Sequence, residues 1–325
     1  MTFEYKIQDI RASESDSRGG LLGPVESQFD LASVAEADAN KWFEHGSVIR
    51  MVSREALGLL GGGRAVLLQL AHPLIAAGVL QHSDFQADPL SRLLETVELM
   101  HTLIFGDGHR AQAALGRFYA IHAPVRGRLP EATGRYAAGN PYRASDPGLK
   151  LWVFATLVET SLITYELFVA DLSAAERKSF YQDSIRLARL LKIPKRVLPP
   201  TLAEFRNYMV AMLNGDTLKV NSLAKRLARE VLYPCNASLL ATASAGLLRF
   251  VTAGLLPARF RKAYGMPWSP RRQIMLNALS RTTRGLRPRV PAWVWQSPML
   301  GGGLARFLLR KNDPRPADHQ GWLAH

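Results

Sequence analysis

The chain has 325 residues, 47% of them hydrophobic and 21% charged, with 41 Lys+Arg against 27 Asp+Glu for a formal net charge of +14. That balance excludes wholesale disorder, and the length provides for one large domain or two of ordinary size. A single cysteine, Cys235, excludes an internal disulfide framework and any multi-cysteine zinc or iron–sulfur site. Metal chemistry therefore falls to His, Asp or Glu, or to a bound organic cofactor.

The first twenty residues are polar and lack the apolar centre of a signal peptide. No uncharged apolar run reaches about 18 residues, the usual spanning length. The nearest, Leu239 to Leu256, is interrupted by Arg249. The expectation is a soluble cytoplasmic protein whose residues 1–44 form a flexible segment.

Helical periods dominate from there. A helix near 48–60 ends at the triple glycine Gly61–Gly63, and a second begins at Arg64. The second, apolar on nearly all faces, reads as central, and Pro73 should kink it next to His72. Asp88-Pro89 supplies a cap and a first-turn proline for a helix running to Phe105, where Gly106 stops it. A helix over 109–123 follows, then a loop rich in Pro, Gly and Arg from Arg126 to Gly148, then a helix over 149–170. Ser173-Ala-Ala-Glu176 and Thr201-Leu-Ala-Glu204 fit the capping box and start helices over 174–192 and 201–213. The last third reads as shorter helices broken by Pro234, Pro257, Pro267, Pro270, Pro288 and Pro291. Strand signals are nearly absent, and no repeat is present. The fold class is all-α: a single helical domain of ten or more helices over 45–260, with a basic helical extension over 261–325 packed on it.

The charge is not spread evenly. From Lys219 onward there are 18 Lys+Arg and 3 Asp+Glu, so the whole cationic excess is C-terminal. Such asymmetry calls for an anionic partner. Basic residues alternate there with Phe250, Phe260, Trp268, Trp293, Trp295 and Phe307, which suits an anionic membrane surface. No zinc finger, RNP-like aromatic pair or KH-type loop favours nucleic acid, and no specific nucleic acid partner is expected. A solvated basic face over an ordinary core remains the plainer alternative.

Three groups could carry chemistry. Glu98-x-x-His101 puts a carboxylate and an imidazole on one helical face, as in di-iron bundles, but the motif occurs once. Arg92 and Thr96, four residues apart, lie above one another on an otherwise apolar face, which suits an anionic or oxygen-bearing ligand; an intrahelical Arg92 contact with Glu95 or Glu98 explains them equally well. In Ile121-His122-Ala123-Pro124-Val125-Arg126, His122 ends a helix whose apolar face includes Leu115, Phe118 and Ile121, so it should face inward. A neutral imidazole there, with Arg126 near a propionate, is what a haem requires. No nucleophile elbow, Walker loop or HExxH motif is present, and the glycine runs Gly61–Gly63 and Gly301–Gly303 follow no credible strand, which makes them helix breakers.

The string GGGRAVLLQLAHPLIAAGVLQHSDFQADPLSRLLETVELMHTLIFGD, then FYAIHAPVRG, LWVFATLVETSLITYELF and LSAAERKSFYQDSIRLARLLKIPKRVLPPTLAEFRNYMVAML, resembles the family typified by rubber oxygenase and the fungal MpaB oxygenase over roughly residues 45–260. The resemblance implies a helical fold around a b-type haem and oxidative chemistry with dioxygen on a hydrophobic, isoprenoid- or lipid-like substrate. Against the family's distal R-x-x-K-T motif, Arg92 and Thr96 match, while Glu95 stands at the lysine position. The proximal His-Ala-x-x-Arg pattern matches His122 to Arg126, making His122 the implied axial ligand. Phe154 stands where the family pattern carries a histidine. The departures at Glu95 and Phe154 keep a second reading in view: a haem or hydrophobic-ligand binder without turnover, such as a sensor or carrier.

Overall fold

The computed structural model describes residues 42–82, 89–233 and 239–296, with the backbone alone for 89–94 and 239–244. The first 41 residues and those from 297 onward, including Gly301–Gly303 and Phe307, lie outside the described residues.

The fold is built around a helix that is apolar on every side. Pro147–Phe168 (here α6, introduced in chain order below) buries Leu151, Trp152, Phe154, Ala155, Val158, Tyr165 and Phe168, and on the remaining side Thr156, Thr160 and Thr164. Such a helix needs neighbours on all faces. Its start is locally specified: Pro147 occupies the first turn, and the Asp146 carboxylate accepts from the Gly148 and Leu149 amides at 2.8 and 2.9 Å. Its length and apolar composition would suffice to cross a membrane, yet 56% of that stretch is buried inside the protein, as in a core helix.

Around it the chain runs through α1 (Val48–Ser53), a 3-10 turn (Ala56–Gly61), α2 (Gly62–Leu70), α3 (Pro73–His82), α4 (Pro89–Phe105) and α5 (Gly108–His122). Two strands follow, β1 (Arg126–Arg128) and β2 (Pro141–Arg143), then α6. The remainder is α7 (Ala174–Leu190), α8 (Leu202–Asn214), α9 (Ser222–Leu232), α10 (Leu239–Leu255), α11 (Ala258–Ala263), α12 (Pro270–Leu286) and α13 (Ala292–Trp295). The class is all-α among the described residues, with one small antiparallel ribbon. That ribbon pairs Arg126 with Arg143, Gly127 with Tyr142 and Arg128 with Pro141. It sits inside the segment that reads as a loop, because three-residue strands are too short to show an alternating pattern.

Two expectations need correction. The triple glycine does not break a helix: the 3-10 turn ending at Gly61 runs directly into α2 at Gly62. A Cβ at Gly61 would overlap Thr160 and Thr164 of α6, and one at Gly63 would overlap Thr252 of α10. The glycines are there for close approach between helices, which local pattern does not reveal. The apolar stretch from Arg64 is also two helices rather than one kinked helix. The segment Ala56–Leu70 and α3 meet at 103°, with Pro73 opening the second and His72 at the corner.

A buried polar network ties α2, α6 and α10 together. Arg64 is 2% exposed. It donates from Nη2 to Glu159 Oε2 at 2.5 Å, from Nη1 to Thr160 Oγ1 at 2.6 Å and from Nε to the Leu255 carbonyl at 3.1 Å. Beside it, Trp152 Nε1 donates to the Leu68 carbonyl at 3.1 Å, and Gln69 donates to Thr156 Oγ1 at 2.9 Å. The guanidinium, the indole and the Gln69 amide each have a partner, as the loss of water demands.

Both capping boxes form as the sequence expects, on Ser173/Glu176 and Thr201/Glu204. Farther on, α12 docks on α6. Leu276 is buried with Phe168 and Val251, and the Ser280 hydroxyl donates to the Leu167 carbonyl. Arg284 pairs with Asp171 at 2.6 Å, and Arg287 forms a two-pronged pair with the buried Glu55.

Candidate functional site

Helices α4 and α5 form an antiparallel hairpin. Gly106 ends the first, and the Asp107 carboxylate caps the second by accepting from the Arg110 amide at 2.7 Å. Because the connection is short, the early turns of α4 and the last turn of α5 lie at the same end of the hairpin, away from the connection. Arg92, Glu95 and Thr96 are therefore brought by topology to the end that carries His122. Thr96 is half-buried and Glu95 exposed; Arg92 lies on the α4 backbone, its side chain outside the described residues.

His122 is half-buried. Its Nδ1 lies 2.8 Å from the Phe118 main-chain carbonyl, and its ring stacks on Phe118 with centroids 4.1 Å apart. A carbonyl only accepts, so Nδ1 carries the proton and Nε2 holds the lone pair in the neutral imidazole. That tautomer, anchored through the second nitrogen, is the one a metal-binding histidine uses. The inward face of α5 differs from the expected one: Leu115 is buried and Phe118 half-buried, but Ile121 is 56% exposed. At 100° per residue, positions 115, 118 and 122 fall within 60° of one another, while 121 sits 120° from 115 and 100° from 122.

Four residues after His122, Arg126 opens β1, exposed, directly opposite Arg143 in the ribbon register, with Arg128 also exposed on the same strand. His82 at the end of α3 donates from Nε2 to the Arg126 carbonyl at 2.8 Å, which fastens the ribbon to the helical body. The ribbon thus offers a cluster of guanidinium groups next to the end of α5.

Other sequence candidates separate in space. His101 stacks on Phe105 with centroids 5.3 Å apart, whereas Glu98 is exposed. Burial pushes the His101 imidazole down to about 4. No group of three or more His, Cys, Asp or Glu positioned for a metal is found among the described residues, so the di-iron reading gains nothing from the structure. Phe154 is packed in the main core beside Ala155 and Val158.

One place was not legible from the sequence. A cavity of about 720 Å³ opens beneath the ribbon, lined by His72, Tyr136, Tyr142, Asp146, Tyr208 and Met212 among others. His72 is 4% exposed, and its Nε2 lies 3.3 Å from the Tyr136 hydroxyl. Desolvation lowers its pKa to about 4, so it is neutral at physiological pH. In the sequence His72 is legible only as the residue beside a proline expected to kink a helix. Its partner is 64 residues away in a segment without periodicity.

The chain belongs to the family described as ER-bound oxygenase mpaB/B′/rubber oxygenase, catalytic domain, whose model matches residues 49–287. The match takes in the α4–α5 hairpin, the ribbon, the central helix and α12. Two relatives are 27% identical over 235 residues, covering 71% of this chain and 89% of each of theirs: uncharacterized protein Mb2261 of Mycobacterium bovis and uncharacterized protein Rv2237 of Mycobacterium tuberculosis. No solved structure matches.

Proposed function

We propose that this chain is a haem-dependent oxygenase acting on a hydrophobic, isoprenoid- or lipid-like substrate. Membership of an oxygenase catalytic-domain family supports the reaction class. The single observation that carries the cofactor reading is the Nδ1–H donation from His122 to Phe118, which leaves Nε2 as the coordinating nitrogen. The donor set fits a haem better than a bare ion, since one oriented imidazole with arginines nearby matches an axial ligand and a pair of propionates.

In this reading His122 would hold the iron, and Arg126, with Arg128 and Arg143, would pair with the propionates. Haem, when bound, supplies dioxygen binding and one-electron chemistry. The protein's own contribution comes from α4. There Arg92 and Thr96, the residues that match the family pattern, would orient an oxygen-bearing ligand. The Glu95 carboxyl, at the family's lysine position, offers a site where a proton is held or released. One specific observation favours a second reading, a haem or hydrophobic-ligand carrier without turnover: both departures from the family pattern are structurally unremarkable, Glu95 lying in solvent and Phe154 in the core.

The test is the absorption spectrum of protein produced with a haem precursor, compared with His122→Ala. A near-stoichiometric Soret band in the parent, lost in the variant while the far-UV circular dichroism is kept, is the expected result. A parent protein that is colourless and takes up no added haemin overturns the cofactor reading. Steady oxygen consumption with a polyene or unsaturated lipid separates the oxygenase from the carrier.

A further inference from the structure

The region after α9 is chemically one-sided. From Val231 to Asn312 there is not one Asp or Glu, against thirteen Lys and Arg. Within that stretch α12 is held firmly by its inner face. Leu276 and Ser280 are buried, while Arg284 and Arg287 find their carboxylates on other elements, Asp171 and Glu55. The outer face has a different make-up. At 100° per residue, Arg271, Ile274, Ala278, Arg281 and Gly285 form the ridge opposite Leu276, with Met275 alongside, and all six are exposed. Ile274 is 67% exposed and Met275 59%. Just past the helix, Leu286 and Trp293 are exposed as well, with Arg289 between them.

A solvated helix face carries charges of both signs and few large apolar side chains. This face has branched and thioether side chains projecting between arginines, in a stretch of sequence without an acid. Burial of the opposite face against α6 fixes the direction in which they point. That combination suits the boundary of a bilayer, where apolar side chains enter the acyl region and guanidinium groups remain among anionic headgroups. A nucleic acid would be met by the same charge but gives Ile274 and Met275 nothing to enter. We infer that the outer ridge of α12, continued by Leu286, Arg289 and Trp293, is a docking surface for an anionic lipid membrane. This inference is independent of the haem: it makes the protein peripheral and places a membrane beside the catalytic domain.

The experiment is co-sedimentation of the full chain with vesicles of phosphatidylcholine containing about 30% phosphatidylglycerol, and with phosphatidylcholine alone. Binding is expected to the anionic vesicles only, and to weaken strongly at about 0.5 M salt. Arg271→Gln and Arg281→Gln should each weaken it about fivefold. Ile274→Ser with Met275→Ser should weaken it at least tenfold at unchanged charge. Thermal melts run in parallel should show that these exposed substitutions leave the fold intact. Equal binding to neutral vesicles, or absence of binding, overturns the inference. So does an Ile274/Met275 variant that binds like the parent, and so does tighter binding to duplex DNA that ignores those two residues.

Discussion

Arginine is used in opposite ways in the core of this molecule and on the outer face of α12. Arg64, in the helical body, is removed from water and surrounded by a carboxylate, a hydroxyl and a carbonyl delivered by two other helices. Arg271 and Arg281, on the outer face of α12, stand in solvent in a stretch stripped of carboxylates. The same side chain is a structural tie in one place and an unneutralised charge in the other. What differs is the supply of acceptors: three helices converge on Arg64, and among the described residues no carboxylate pairs with Arg271 or Arg281. Net charge alone does not distinguish the two, and an excess of +14 has functional meaning only for the arginines that the fold leaves outward.

The largest expected effect lies at the buried end. Arg64→Ala strands Glu159 and empties the junction of α2, α6 and α10, so urea unfolding should show a loss of about 3–5 kcal/mol. A loss below about 1 kcal/mol would mean that water replaces the guanidinium and that the two regions differ less than their burial implies.

Next comes acid. His72 and His101 titrate near 4 in the folded chain because burial disfavours their cations, against about 6.5 when unfolded. The unfolded state therefore binds more protons in this interval. Stability is whole above about pH 6.5 and declines as pH falls toward 4, by up to about 3 kcal/mol for each imidazole. Urea midpoints at successive pH values should follow this decline, and His101→Asn should reduce its steepness.

The smallest effect belongs to the ridge. Arg281→Gln should alter folding stability by no more than about 0.5 kcal/mol, since it removes an exposed side chain. Its effect on vesicle binding separates the two uses of arginine most sharply: stability unchanged, affinity reduced. A destabilisation comparable to that of Arg64→Ala would erase the contrast.

The candidate site falls between these extremes. The helix that presents His122 is set by local signals, with Asp107 as its cap and Pro124 beyond its end. The bond that fixes its tautomer reaches only four residues back. Even so, apolar spacing alone misplaces Ile121, because an angular interval, not a list of apolar residues, defines a helix face. The guanidinium cluster depends on Arg126 pairing with Arg143, 17 positions later, through a ribbon too short to announce itself.

By itself the amino-acid sequence determined the all-α class, the bounds of α4 through α8 and both capping boxes. It also carried the asymmetry of charge and the string of motifs that marks the oxygenase family. Each of these is written in residues a few positions apart, or in composition, where hydrogen bonding to the first turn and the 3.6-residue period act directly. Tertiary structure alone decided that Gly61 and Gly63 permit contact rather than stop a helix, that Arg64 meets Glu159, and that His72 meets Tyr136 over a cavity. It also decided which arginines of α12 turn outward. Those outcomes depend on groups tens of residues apart excluding water from one another, and no local pattern records which partner arrives.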